Sequence, residues 1–276
     1  MTPMVLLAGV TVKGGDVWGK FGMDLKSATD LTKTLSDYSS TFYTYMEKLI
    51  TNVTFPLAAV ILSLLVILEF TVIARKIAAN GGALTGEALV PFLIRFLFVI
   101  AFLSQSKLIV ETIVSFGAWS VEKAALVFSS GKADFYSVAG VKGKGIAGMA
   151  IVIVLGLFQF LFKIGAVVTA NVLISLRFLQ LYTMLPFAPI ATATLVSDEW
   201  RSVGLGYYKN IIAYSVQGLV IFIVLSLYSL IPVNLAEGAL SGGNFFGVFV
   251  NSIVQPLLLL IALAGSQRTA RSILGM

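Results

Sequence analysis

Five long apolar runs, separated by polar segments, dominate the hydrophobic pattern of the chain. A helix needs about 20 mostly apolar residues to cross a hydrocarbon core of about 30 Å, so each run predicts a membrane-spanning helix. The third run continues to residue 196, and we interpret its residues 146–182 as one helix of roughly 50 Å, which must tilt or project. The pattern therefore predicts an all-α, polytopic integral membrane protein with about five transmembrane helices, at residues 52–74, 87–103, 146–182, 211–231 and 245–264.

Two further helical patterns lie outside these spans. Apolar residues recur every three or four positions in residues 25–49, which predicts an N-terminal amphipathic helix. Residues 107–128 mix charged, aromatic and aliphatic side chains, which predicts an interfacial helix before a polar loop. The predicted divisions are an N-terminal amphipathic region (1–51), a transmembrane hairpin (52–104), an interfacial helix with a polar loop (105–145) and a C-terminal membrane domain (146–276).

Two prolines, Pro186 and Pro189, interrupt the end of the third run. Proline removes an amide donor and clashes with the preceding turn, so the pair predicts the end of the helix and a re-entrant or interfacial corner. Ser197 is then expected to cap the next helix, with Glu199 in its first turn. Trp200 begins an aromatic belt that is typical of a membrane interface.

Composition limits the chemistry. The 276 residues are 58% hydrophobic and only 12% charged, whereas soluble proteins have roughly 25% charged residues. The chain has no cysteine and no histidine, which excludes thiol nucleophiles, imidazole bases and the usual zinc and haem ligands. We therefore expect no cofactor, no metal and no enzymatic activity.

Two charged residues fall inside the predicted hairpin, Glu69 in its first span and Arg95 in its second. Charges in spans are costly and usually face the protein interior or a partner. Both residues are expected roughly 8–12 Å deep, so we predict that they form an intramembrane ion pair.

Three polar residues of the third span, Gln159, Lys163 and Arg177, fall within about 40° of one another on a helix that turns 100° per residue. One interpretation is that Lys163 extends to the interface and Arg177 contacts the phosphates of anionic phospholipids. The other is that an oligomer assembles these side chains into a cationic path for a polyanion.

The C-terminal half resembles the TrbL-like family of polytopic inner-membrane subunits of type IV secretion and conjugation machines. The resemblance covers about residues 145–276. It rests on a long helix that ends in a proline-containing corner, an acidic-Trp element, an aromatic-basic stretch and a Gln-Gly span. Here these elements are Phe187-Ala188-Pro189-Ile190, Glu199-Trp200, Tyr207 to Lys209 and Gln217-Gly218.

The resemblance implies a homo-oligomeric translocation-channel subunit of the cytoplasmic (inner) membrane, with its N-terminus outside and its C-terminus inside. Such a subunit forms part of the path for single-stranded DNA or protein, beside other secretion-system subunits that include ATPases. Arginines at 75, 201 and 268 fall on one side of a five-span layout, which agrees with that orientation.

Two alternatives stay open, a passive membrane scaffold of a secretion or pilus assembly and a small-solute secondary transporter. The transporter is less favoured, because such folds often repeat a broken helix in both halves, and the pattern contains one proline-broken corner.

Overall fold

The computed structural model describes residues 11–13, 30–79, 86–128, 142–230 and 245–275, and this part of the chain is almost entirely helical. Its α-helices, numbered in chain order, are α1 (Leu35–Tyr38), α2 (Ser40–Leu49), α3 (Phe55–Ala79), α4 (Gly86–Ser104), α5 (Ser106–Phe128), α6 (Gly145–Met184), α7 (Ala188–Ala193), α8 (Arg201–Leu230) and α9 (Phe245–Ile273). Two short strands, β1 (Thr11–Lys13) and β2 (Lys142–Lys144), pair antiparallel.

Three helical rods in the described residues are long and apolar enough to cross a membrane. They are Ser40–Ala79, Val168–Val196 and Arg201–Leu227. A fourth crossing is added if Leu89–Ser104 and Ser106–Phe128, which are bent by 68° at their junction, count as one span. The protein is thus a helical membrane protein with three or four candidate spans in this part of the chain.

The chain divides into two compact units, to both of which α5, α6, α8 and α9 contribute. The first comprises residues 1–31, 122–175 and 220–266, and it contains the β1–β2 pair. Its buried apolar side chains include Ile174, Phe222 and Leu263, and the ring of Phe128 lies 6.1 Å from that of Phe222. The second comprises residues 32–121, 176–219 and 267–276 and contains the sites described below.

The core of the second unit is built on one face of α3. Ala58, Leu62, Leu65 and Ile73 follow one another at helical spacing and pack against apolar residues of α4 and of the segment after α6. Those partners are Phe92, Val99, Leu103, Ala193 and Val196. The opposite face of α3 is apolar and exposed, as expected for a helix in contact with lipid.

The described part of the predicted amphipathic helix 25–49 is not one helix, and residues 25–29 lie outside the described residues. Ser39 is extended (φ −155°, ψ 102°) and separates α1 from α2. Thr34 and Ser39 each accept a hydrogen bond from a backbone N–H of the helix that follows them. Side-chain caps of this kind favour two short helices over one long helix. A π-helical turn, Ile50–Thr54, then joins α2 to α3, which has Pro56 in its first turn.

Candidate functional site

The long α-helix α6 ends at Met184, close to the predicted end, but the predicted corner does not follow at the prolines of the proline segment, residues 185–196. The backbone stays helical through a 3₁₀ turn (Leu185–Phe187), α7 and a second 3₁₀ turn (Thr194–Val196). Pro186 and Pro189 each lie in the first two positions of a short helical element, where a missing N–H costs little. The chain leaves helical geometry only at Ser197, with ψ 137°.

A tyrosine compensates for the backbone donor that is missing at Pro189. The Leu185 carbonyl, which a residue 189 amide would normally satisfy, instead accepts from the N–H of Ala188. In a regular α-helix the N–H of Ala188 would donate to the Met184 carbonyl, four residues earlier. Because it donates to Leu185 instead, the Met184 carbonyl accepts a 2.8 Å hydrogen bond from the Tyr207 hydroxyl. A side chain of α8 therefore stabilises the helical path through the prolines.

Three more hydroxyls form hydrogen bonds in or next to this region. The Thr192 hydroxyl donates to the Ala188 carbonyl and lies 2.6 Å from the Tyr208 hydroxyl. The Tyr182 hydroxyl donates to the carbonyl of Leu35, the first residue of α1. Of the predicted aromatic belt, only Trp200 is exposed, since Tyr207, Tyr208 and Tyr214 are half-buried and hydrogen-bonded inside the unit.

The predicted capping role of Ser197 is wrong. Ser197 is buried and follows the second 3₁₀ turn, and α8 begins only at Arg201. Residues 198–200 form a turn in which the Val203 N–H donates to the Trp200 carbonyl. Glu199 is exposed in this turn and lies before α8 rather than inside its first turn.

The predicted pair of Glu69 and Arg95 is also corrected. The Arg95 guanidinium pairs with Asp198 in the turn after the proline segment, 103 residues further along the chain. Glu69 is buried on the α3 face that carries Leu65 and Ile73, and the described residues contain no salt bridge between it and Arg95. Helical depth suggested the wrong partner, because Asp198 comes from a distant part of the sequence.

We expect a small coupling between Arg95 and Asp198 and none between Arg95 and Glu69. The Arg95 side chain is 31% exposed and that of Asp198 58%, and exposed pairs contribute up to about 1 kcal/mol. A double-mutant cycle of Arg95→Gln with Asp198→Asn, followed through the melting temperature in detergent, should give a coupling of about 0.5–1 kcal/mol. The matched cycle with Glu69→Gln should be additive, and coupling there alone would contradict this pairing.

Arg177 lies neither at lipid phosphates nor along an open cationic path, the two positions predicted for it. Its side chain is fully buried, at 0% exposure. Nε donates to the Tyr214 carbonyl at 2.9 Å, Nη2 donates to the Ser215 carbonyl at 3.4 Å, and the guanidinium lies 5.2 Å from the centre of the Phe178 ring. Within one chain it therefore lines no path and contacts no lipid. The side chains of the other two predicted path residues, Gln159 and Lys163, lie outside the described residues.

Gly218 makes room for this guanidinium. A Cβ at position 218 would lie 2.5 Å from Cζ and 2.9 Å from Nη2 of Arg177, well inside van der Waals contact. On the same turn of α8, the Ser215 hydroxyl donates to the Ile113 carbonyl of α5 at 2.8 Å. A Cβ at Gly117 would lie 2.9 Å from the Ser215 carbonyl oxygen. Small residues thus allow α5 and α6 to approach α8 closely.

The sequence pattern missed this junction, although it contained a signal for it. Glycine and serine inside apolar helices are typical of close helix contacts, and Gly117, Ser215 and Gly218 are such residues. Arg271 also reaches the junction, since its Nη2 lies 3.2 Å from the Tyr214 hydroxyl. In the described part of the chain, neither Arg177 nor Arg271 forms a salt bridge.

Comparisons with known proteins add nothing to this geometry. Family models, curated proteins and solved structures gave no match to the chain. Among the described residues, no three acidic side chains lie close enough together to hold a metal ion. The features of the described chain that bear on its function are the membrane helices, the proline segment and the buried junction around Arg177.

Proposed function

We propose that this protein is an inner-membrane subunit of a type IV secretion or conjugation apparatus. The main support is that the elements of the TrbL-like resemblance belong to one packed arrangement. Pro189 lies in the proline segment, and the Tyr207 hydroxyl donates a hydrogen bond to the Met184 carbonyl just before that segment. Gly218, which has no side chain, leaves room for the guanidinium of Arg177. The resemblance thus includes residues that hold the second unit together.

The finer features belong to the same proposal. The protein has about five spans, with its N-terminus outside and its C-terminus inside, and it assembles with itself. It works beside secretion-system ATPases and forms part of the path for single-stranded DNA or protein. The run of exposed apolar side chains on α3 and α4 is compatible with packing against lipid or other subunits.

A passive scaffold is the second candidate, and the burial of Arg177 favours it. A residue that holds two helices together cannot also contact a passing substrate, so Lys163 is the one cation of the predicted stripe left for the path. A channel requires Lys163 for transfer, whereas a scaffold does not.

The experiment measures the frequency of mobile-element transfer from donor cells that lack this gene. We expect deletion to abolish transfer and the wild-type gene to restore it. If Lys163 contacts the substrate, Lys163→Ala should lower transfer about tenfold or more, the effect of losing about 1.4 kcal/mol. Lys48→Ala, which removes an exposed lysine of α2 outside the elements of the resemblance, is the matched control.

Membrane levels of all variants are equalised by immunoblot. Normal transfer by Lys163→Ala would assign the protein to the scaffold role. Normal transfer after deletion would reject the secretion proposal and make a solute transporter the leading alternative.

A further inference from the structure

The turn after the proline segment, residues 197–201, has an amphipathic surface. Trp200 is 50% exposed, and Asp198, Glu199 and Arg201 beside it are exposed as well. An indole prefers the boundary between water and hydrocarbon, where its ring is shielded and its N–H can be hydrogen-bonded. We refer to residues 197–201, together with Arg95, as the anchor turn.

The anchor turn lies where two candidate spans meet. The rod Val168–Val196 ends just before it, and the rod Arg201–Leu227 begins at its last residue. A chain that crosses a bilayer and returns must turn where water or headgroups satisfy its backbone and charges.

The length of the exposed apolar face of α3 can be compared with the thickness of a bilayer. Its large exposed side chains run from Phe55 to Phe70 and stop before Arg75, and the exposed side chains of Leu49 and Val53 continue the band just before α3. From Leu49 to Phe70, at about 1.5 Å per residue, this band is about 32 Å long, close to the hydrocarbon thickness of about 30 Å.

Contacts between α3 and α4 place the anchor turn at the Arg75 end of this band. The rings of Phe70 and Phe92 lie 4.9 Å apart. Because α4 runs back from the Arg75 end of the hairpin, Arg95 lies about one helical turn, roughly 4.5 Å, further from Arg75 than Phe92 and just inside this end of the band. The guanidinium then extends to Asp198. An arginine near the end of a span normally directs its charge to the interface in this way.

A second group of charged side chains lies near the N-terminal end of the rod Ser40–Ala79, which contains α3. Lys107 of α5 lies 2.6 Å from Glu47 of α2, and the Tyr43 hydroxyl donates to Glu111. Glu47 and Arg75 are 28 residues apart in the rod Ser40–Ala79, which is about 42 Å. A bilayer with its headgroup regions is about 40–45 Å thick, so the charged ends match its two faces.

From these positions we infer that the anchor turn binds the headgroup layer of a phospholipid bilayer. Trp200 lies at the boundary between headgroups and acyl chains. The exposed guanidinium of Arg201 faces lipid phosphate, and the pairing of Arg95 with Asp198 fixes the turn to α4. This inference depends on the membrane location of the protein and not on its role in secretion.

The test uses Trp200 as a depth probe. In a variant with Trp18→Phe and Trp119→Phe, the remaining indole is Trp200. The protein is reconstituted in phosphatidylcholine–phosphatidylglycerol vesicles that contain lipids spin-labelled either near the headgroup or deep in the acyl chain. We expect the shallow label to quench Trp200 fluorescence at least about twofold more than the deep label, because an interfacial indole lies near the headgroups.

The matched control moves the probe to the middle of the apolar band. Leu64 is 57% exposed on α3, so Leu64→Trp in a background with all three native tryptophans replaced by phenylalanine should show the reverse order of quenching. Helix content and a monodisperse elution profile establish that each variant is folded. The inference fails if Trp200 is quenched by aqueous iodide and by neither lipid, if the deep label quenches it more, or if nothing quenches it, as cover by another subunit would require.

Discussion

Gly218→Ala should lower the melting temperature of the purified protein in detergent by roughly 5 °C, which corresponds to about 2 kcal/mol. The added methyl group would lie 2.5 Å from Cζ of Arg177. Because that arginine is fully buried, it cannot move aside into solvent. Overpacking of this kind costs about 1–3 kcal/mol, which exceeds the gain of up to about 1 kcal/mol in helix propensity.

Gly206→Ala is the matched control, since it makes the same substitution in the same helix. A Cβ at Gly206 would meet no atom within 4 Å. We therefore expect an unchanged or slightly raised melting temperature, from the better helix propensity of alanine. Equal effects of the two substitutions would show that Arg177 does not pack on Gly218.

Arg177→Ala should be the more damaging of two substitutions at the buried arginine, and Arg177→Met the milder. Alanine leaves a cavity between α6 and α8, and deleting a large buried side chain costs about 2–5 kcal/mol. Methionine fills much of the same volume without a charge. Because no salt-bridge partner of Arg177 occurs in the described residues, its loss leaves no buried carboxylate unpaired. We expect the methionine variant to lose less than about 1.5 kcal/mol.

The measurement is the melting temperature of both variants in detergent, together with their yield from membranes. A methionine variant as unstable as the alanine variant would mean that the positive charge itself is required. That result would point to an acidic or anionic partner outside the described residues.

These expectations also affect the transfer experiment. Loss of transfer by Arg177→Ala would not indicate a cationic path, because the substitution removes a contact between α6 and α8. Lys163→Ala tests whether a lysine of the predicted path is required for transfer. Arg177→Met removes the charge at position 177 in a variant that is expected to fold.

The helical membrane class was predictable because it depends on local sequence. An uninterrupted run such as residues 52–74 specifies a long apolar helix through its length and composition. The spacing of Ala58, Leu62 and Leu65 likewise places these residues on one face. The number of five spans and the role in secretion remain predictions.

Predictions from local sequence patterns were incomplete where side-chain hydrogen bonds alter the path of the backbone. Two prolines predict a helix end and a corner. The α-helix α6 does end at Met184, but the backbone stays helical beyond it, and the Tyr207 hydroxyl satisfies the Met184 carbonyl. Periodicity places Leu25 to Leu49 on one stripe, but the caps at Thr34 and Ser39 divide the described part of this stretch.

The sequence by itself determined which segments are apolar helices, whereas packing against α4 and the proline segment decided which face of α3 is buried. Only the tertiary structure decided the partners of the charges, Asp198 for Arg95 and the α8 carbonyls for Arg177. The physical reason is that helical periodicity relates residues within a few turns of each other. Electrostatic and hydrogen-bond partners depend on distances in space, and here they join residues 37 to 103 positions apart.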